Sequence, residues 1–281
     1  MKRSTSIPQP VDAAVVSGET VCPADDGDRN FVGALARGLE LLRAFGPTDD
    51  YLGNAELSRR TGIPRPTVSR LTYTLASLGY LVYVEAHEKY RVGQGALLPA
   101  HRYLSGAGIR DIAQPLMQSL ALATGCTVAL AAPDRHDMLY LESCQPRGGL
   151  VMRLTPGSRL PTATSAIGRA WLAGLDPARR AAVLVELERH YGARWPALRT
   201  KLDRALREYA RRGFCLAHAE WDRSVSGVAA PVRLEGGTEV LSINIGGAST
   251  RLSPEILESN LGPRIRDLAQ TLQQRLWHHA A

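Results

Sequence analysis

A chain of two α+β domains is predicted by this 281-residue sequence: a small one of three helices and a hairpin, then a larger one in which helices and strands alternate. Three observations carry the prediction. The length suits one large domain or two ordinary ones, each able to bury its own core. Helical apolar spacing between Phe31 and Ser77 gives way at Tyr80 to a run rich in β-formers. From Ile109 onward, short β-rich runs alternate with amphipathic stretches, and no repeat at solenoid periods is visible.

Each element has a local reason. Residues 1–28 hold Pro8, Pro10 and Pro23 without a sustained apolar period, so a disordered arm is expected. Lys2 and Arg3 stand there against Asp12, Glu19, Asp25, Asp26 and Asp28, which argues against a basic arm that grips nucleic acid. Leu35, Leu39 and Leu42 then fit an amphipathic helix ending near Phe45, before Gly46-Pro47. Asn54 is a good N-cap for a short helix that carries Leu57 and stops at Gly62. Pro64 and Pro66 open a third helix, in whose first turn proline is tolerated, and it runs to about Ser77 before Gly79.

A hairpin follows. Tyr80 to Val84 goes out, Glu85 to Lys89 turns, and Tyr90-Arg91-Val92 returns to Gly93. Three helices and a hairpin assemble naturally as a winged helix-turn-helix, spanning residues 29–93. Residues 94–108, interrupted by Pro99 and Gly106, read as a linker with some helix. In the second domain, residues 109–277, a helix starts at Ile109 with Pro115 inside it, which implies a kink or a late start. Strands are expected at Cys126–Ala132, Met138–Ser143, Leu150–Leu154, Ser226–Val232 and Val240–Ile245. Helices are expected at Ser165–Leu175, Pro177–His190, Trp195–Arg212 and Pro254–Trp277.

The third helix has two faces. At roughly 100° per residue, Val68, Leu71, Leu75 and Leu78 fall within an arc of about 80° that suits packing on the first two helices. The other side carries Arg65, Pro66, Ser69, Arg70, Tyr73 and Ser77, with Thr67 beside them. Arginine pairs with guanine edges or phosphate, and serine and tyrosine suit backbone or base contacts. On the hairpin, Lys89 and Arg91 are placed to meet phosphates. The arrangement of a capped helix, a turn at Thr61-Gly62-Ile63, a polar-faced helix and a wing points to binding of double-stranded DNA, which a net charge of +7 accommodates.

Composition removes other classes. No run of eighteen apolar residues exists, so no transmembrane helix is expected, and the polar N-terminus lacks the apolar core of a secretory signal. A cytoplasmic protein is therefore expected. Cys22, Cys126, Cys144 and Cys215 lie far apart without CxxC spacing, which fits reduced structural thiols. Ser165 lies in no GxSxG elbow and no glycine-rich phosphate loop follows a strand, so neither catalysis nor a cofactor is expected.

Several segments resemble the IclR-type bacterial transcriptional regulators. Phe31-Val-Gly-Ala-Leu-Ala-Arg-Gly-Leu-Glu-Leu-Leu-Arg-Ala-Phe45 looks like the family's opening helix. Thr61-Gly-Ile-Pro-Arg-Pro-Thr-Val-Ser-Arg-Leu71 and Leu75-Ala-Ser-Leu-Gly-Tyr-Leu81 look like its recognition helix and exit. Gly157-Ser-Arg-Leu-Pro-Thr-Ala-Thr-Ser-Ala-Ile-Gly-Arg-Ala-Trp-Leu-Ala173, Arg212-Gly-Phe and Val228-Ala-Ala-Pro-Val232 are similar to its effector domain in order and spacing. The likeness runs from about residue 31 to 277 and is greatest to the branch controlling aromatic-acid catabolism by the β-ketoadipate route. It implies a C-terminal α/β effector-binding domain with a curved antiparallel sheet, a DNA operator and a small organic acid effector as partners, a homodimer or homotetramer, and contact with RNA polymerase.

The resemblance also implies an effector site. Small residues precede the helix at Ser165, whose backbone N–H groups and dipole favour a carboxylate, which singles out Thr164, Ser165, Ala166 and Ile167. Leu241-Ser-Ile-Asn-Ile-Gly246 matches a family strand whose inward residues face the ligand, here Asn244 and Gly246 in place of the usual serines. Gly227 falls at another pocket position, Cys215 and Ala217 border the cavity, and His218 stands as a polar replacement beside Ala217. His218, Glu220 and Asp222 form an HxExD pattern that strand spacing would put on one face as metal ligands; a solvated polar loop is the plainer reading, and no metal is assigned. Arg153 and Arg159 are alternatives for pairing with an acidic effector, against a surface role. The competing function is a winged helix fused to an enzymatic or metal-binding domain.

Overall fold

The computed structural model describes residues 30–46, 48–106, 109–146, 154–234 and 239–280. The chain forms two compact units, Met1–Ala100 and His101–Ala281.

In the first unit, helices α1 (Gly33–Arg43), α2 (Asn54–Thr61) and α3 (Arg65–Ser77) precede an antiparallel hairpin of β1 (Leu81–Val84) and β2 (Lys89–Val92). Leu41, Leu52, Leu57, Ile63 and Val68 form the core, with Leu71 and Leu75 against it. Leu52 exchanges backbone hydrogen bonds with Tyr90 at 2.8 and 2.9 Å, tying the loop before α2 to the wing. Gly62 closes α2 at φ 69°, a left-handed position that glycine takes without a Cβ clash, and so sets the turn into α3.

Three local expectations change. Asn54 is the first residue of α2 and Gly53 is the cap. The Asn54 amide instead reaches α3, donating to Ser69 Oγ at 3.2 Å and accepting from Thr72 Oγ1 at 3.3 Å. Leu78 is 65% exposed because α3 ends at Ser77 and the chain turns at Gly79, φ 77°; Thr72 takes a buried place on that face. In α1, Leu35 and Leu39 are exposed, and the core side runs through Gly38 and Leu41. A short 3-10 turn, Gln94–Ala96, leads into α4 (Leu97–Gly106), so the expected linker segment is largely helical. Pro99 lies in the first turn of α4, where its missing N–H has no partner to lose.

The second unit holds a six-stranded, curled antiparallel sheet in the order β5-β4-β3-β8-β7-β6. Its elements are α5 (Ile109–Thr124), β3 (Thr127–Asp134), β4 (Asp137–Cys144), β5 (Arg159–Pro161), α6 (Ala166–Gly174), α7 (Pro177–Tyr191), α8 (Trp195–Arg212), β6 (Cys215–His218), β7 (Val225–Arg233) and β8 (Val240–Ala248). Strand alternation makes two cores. Val128, Leu130, Val228, Ala230, Ile243 and Ile245 pack with α5 and the C-terminal helix α10 (Gly262–Ala280). Ala129, Ala131, Tyr140, Cys215, Ala217 and Ala229 face α6 and α8 on the opposite side.

Helix α5 is continuous through Pro115. The expected C-terminal helix runs without a gap through α9 (Pro254–Ile256), a π-helical turn Leu257–Leu261 and α10, with Leu257, Leu261 and Ile265 all turned inward. Strands β5 and β6 are too short, at three and four residues, to show a period. Of the strand expected at Leu150–Leu154, all but Leu154 lie outside the described residues, as do the arm and Cys22; Leu154 is not in a strand.

Candidate DNA interface and effector site

Helix α3 buries Val68 and Thr72 and turns Arg65, Pro66, Ser69 and Arg70 outward, with Tyr73 at 73% exposure and Thr67 half-buried. Lys89 and Arg91 are two residues apart on β2, hence on one face of the wing, and both are exposed. Among the described residues Arg65, Arg70, Lys89 and Arg91 make no ion pair or side-chain hydrogen bond. Arg60 on α2 is the contrast. Its guanidinium is held by Asp49, by Glu56 at 3.0 Å and by the Ala44 carbonyl at 3.0 Å. The hydrogen bond from Arg60 holds the Asp49 carboxyl below the usual carboxylate range, against the opposing effect of burial. Arg60 therefore braces the motif, and the four unpaired cations remain available to an outside anion.

The effector-side residues come together on the sheet face beneath α6. Register makes one cross-strand row of Ala129, Asn244, Ala229 and Cys215, and the next of Thr127, Gly246, Gly227 and Ala217. Cys215, Ala217, Gly227, Asn244 and Gly246 thus occupy two adjacent rows on one face. Gly227 is also required by the sheet, since a Cβ there would approach the Ile245 carbonyl oxygen to 2.8 Å.

At the start of α6, Ser165 is the N-cap. Its Oγ accepts from Gly168 N at 3.2 Å and donates to the Pro161 carbonyl at 2.7 Å, so this hydroxyl is already spent. The backbone N–H groups of Ala166 and Ile167 have no acceptor among the described residues. Thr164 is half-buried beside them, and Thr162 Oγ1 is fully buried without a partner among the described residues. Gly168 lets the helix start lie against this loop: a Cβ would come within 2.3 Å of the Thr162 carbonyl oxygen.

His218 does not join the site. It follows Ala217 on β6 and so points to the other face, where Nδ1 meets Ser226 Oγ at 2.9 Å and the Leu252 carbonyl at 3.2 Å. The HxExD pattern is split as well. Glu220 lies past the end of β6 against Arg169, and Asp222 accepts from Ser224 N at 2.7 Å within its own turn. Arg159 pairs with Asp134 and Arg153 lies outside the described residues.

Two residues of the site escape sequence reasoning. Arg169 is 2% exposed; its NH1 and NH2 donate to Glu220 Oε1 and Oε2 at 2.7 and 2.8 Å, while Nε donates to the Ala163 carbonyl and NH1 to that of Leu216. Burial raises the Glu220 carboxyl, but Arg169, with Lys201 and Arg204, outweighs it and leaves the carboxyl below its ordinary value. A lone charge in the apolar run Ala166–Gly174 signals a buried partner, yet nothing local names one fifty-one residues away. Tyr140 is fully buried and meets the Asn244 amide across β3, with Nδ2 3.1 Å from the phenol oxygen. Burial raises its pKa, so the phenol stays protonated.

Comparison with known proteins agrees with this architecture. Residues 34–85 match the IclR helix-turn-helix domain and residues 101–274 match the family described as bacterial transcriptional regulator IclR C-terminal. The chain is 32% identical over 247 residues to the HTH-type transcriptional regulator TsaQ1/TsaQ2 of Comamonas testosteroni, covering 87% of this chain and 88% of that one. It is 26% identical over 254 residues to a p-hydroxybenzoate hydroxylase transcriptional activator of Acinetobacter baylyi, covering 87% and 92%. Among solved structures, an IclR family transcriptional regulator from Brucella abortus superposes with a TM-score of 0.79 at 43% identity, covering 88% of this chain and 94% of that one. A winged helix-turn-helix with free cations on its outer helix, followed by a curled sheet with its α6 cover, is therefore matched in sequence and in fold, and the chain belongs to the IclR family of bacterial transcriptional regulators.

Proposed function

We propose that α3 reads an operator in the major groove through Arg65, Arg70, Ser69 and Tyr73, while Lys89 and Arg91 on the wing hold flanking phosphates. The observation that carries this reading is the set of four exposed, unpaired cations on α3 and β2. Phosphate contacts set position and base-edge contacts set specificity, which assigns Arg70 to specificity and Lys89 to affinity. The protein works as a homodimer, or as a tetramer of two dimers, on a pseudo-palindromic site in the cytoplasm, and its operator occupancy acts on RNA polymerase.

A small organic acid, of the aromatic carboxylate class, is the effector. Its carboxylate is received by the Ala166 and Ile167 N–H groups, and its body lies over the Asn244 and Gly246 rows. The name of one relative, a p-hydroxybenzoate hydroxylase transcriptional activator, supports this class. The effector shifts the DNA-bound and free states only as far as its affinities for them differ, through residues 93–108. Replacing Arg70 tests the assignment. Arg70→Ala loses about 1–3 kcal/mol of operator affinity and relaxes sequence preference while acid binding stays intact; unchanged operator affinity removes Arg70 from the interface.

A further inference from the structure

The net charge of +7 is not spread over the chain. Residues 1–100 hold 11 basic and 11 acidic side chains, whereas residues 101–281 hold 23 basic against 16 acidic, so the whole excess belongs to the second unit. Helix α8 carries more than half of it: Arg199, Lys201, Arg204, Arg207, Arg211 and Arg212 stand against Asp203 and Glu208. The operator-reading helix α3 lies in the other unit, so it does not account for this excess.

Placement divides these cations into two sets. At roughly 100° per residue, Trp195, Leu198, Leu202, Leu206 and Tyr209 fall on the side of α8 that packs into the core with α6 and β6. Arg204, Arg207 and Arg211 fall within an arc of about 60° on the opposite side, along about 10 Å of helix axis, and all three are exposed. The other cations are answered within the protein. Arg199 meets Asp203 at 2.8 Å, Arg212 meets Glu208 and Glu258 at 2.6 and 2.7 Å, and Lys201 lies 3.7 Å from Glu220. Arg204, Arg207 and Arg211 make no ion pair or side-chain hydrogen bond among the described residues, although Arg204 is near enough to Glu220 to help lower its carboxyl pKa. Spaced three and four residues apart, the three repel one another, so the row works against the helix it stands on.

The chemistry of the row selects its partner. No large apolar side chain of α8 is exposed, so this face lacks the buried anchor around which protein interfaces are built. Three guanidinium groups in a line suit a row of phosphates, and duplex DNA presents one charge per about 1.7 Å of its axis. We propose that Arg204, Arg207 and Arg211 form a second, sequence-independent DNA contact, through which the effector domain holds phosphates of the duplex beyond the segment read by α3. The inference rests on operator binding by the winged helix-turn-helix and adds to it a surface in the other unit.

The test is affinity of the full-length protein for two duplexes: the shortest piece of DNA from immediately upstream of its own gene that still binds specifically, and the same piece with ~20 bp of unrelated sequence, about two helical turns, added at each end. At low salt the unaltered protein should bind the long duplex at least about tenfold tighter, whatever the added sequence, with a salt slope steeper by about 0.9 for each cation engaged. Arg204→Gln, Arg207→Gln and Arg211→Gln together should abolish both gains and leave affinity for the short duplex within about twofold, which also reports that the variant is folded. Arg204→Lys, Arg207→Lys and Arg211→Lys together should keep them, because the attraction is one of charge. Equal affinity of the unaltered protein for the two duplexes, a gain that survives in the glutamine variant, or a gain lost in the lysine variant would each overturn the contact. A glutamine variant that binds both duplexes as wild type does but no longer alters transcription would overturn it too, and would assign the row to an acidic protein surface. Absence of specific binding would overturn the reading of α3, and the row would then stand or fall on whether the glutamine variant binds the long duplex less tightly than wild type.

Discussion

Arg169 offers the sharpest test of how the effector domain is held. Its guanidinium joins three segments: the loop before α6 at Ala163, strand β6 at Leu216, and the turn after β6 at Glu220. Arg169→Met keeps the apolar stem and removes the charge. Glu220, whose side chain is 15% exposed, is then left buried without the guanidinium, with Lys201 at 3.7 Å as a weak substitute. Breaking a buried pair from one side costs about 3–5 kcal/mol. The partial exposure of Glu220 and the nearby Lys201 put the pair at the lower end, while two carbonyls that lose a donor add about 1 kcal/mol each. A total of about 5 kcal/mol follows. Replacing Glu220 as well, in Arg169→Met with Glu220→Leu, recovers about 2–3 kcal/mol because no charge is left stranded. All four tryptophans, Trp171, Trp195, Trp221 and Trp277, lie in the effector domain, so urea unfolding followed by tryptophan fluorescence reports that domain alone. A single variant within 1 kcal/mol of wild type, or a double variant no better than the single, would refute the clamp.

Other consequences are open to measurement. Gly168→Ala forces a Cβ onto the Thr162 backbone at 2.3–2.6 Å, so it should destabilise by about 3 kcal/mol and weaken acid binding by moving the loop before α6; thermal melts and titration check both. His136 and His190 stack at 4.1 Å, and burial lowers both pKa values. A histidine whose folded pKa lies below its unfolded value contributes stability above about pH 6.5 that is lost as pH falls through that range, so wild type should lose more of its melting temperature between pH 7.5 and 5.5 than His190→Gln does. Asn54→Ala removes the link from α2 to Ser69 and Thr72 on α3, and should cost about 1 kcal/mol in the DNA-binding unit, read by hydrogen exchange of α3 amides.

The order of helices and strands was legible because the markers were local. Gly62 and Gly79 take left-handed turns, Pro66 lies in the first turn of α3, and Val68, Leu71 and Leu75 pack as their 100° spacing requires. The outward set on α3 was readable for the same reason. The two rows beneath α6 were legible only through resemblance, since their pairing depends on contacts between residues far apart, such as Ala129 with Asn244. His218 was misplaced because one step along β6 reverses the face, and the strand is too short to show its own period. Leu35 and Leu39 show the limit of apolar spacing, which gives a stripe but not what covers it. Arg169–Glu220 and Tyr140–Asn244 leave no local signal, because each pair spans 51 and 104 residues of sequence.

The most direct measurement is affinity for a labelled DNA fragment from immediately upstream of the protein's own gene, over a salt series with excess nonspecific DNA, with and without hydroxybenzoates. Saturable binding that survives competitor, weakens with salt and changes at least fivefold with one acid is the expected result. Specific binding that no aromatic carboxylate alters would contradict effector control through this site.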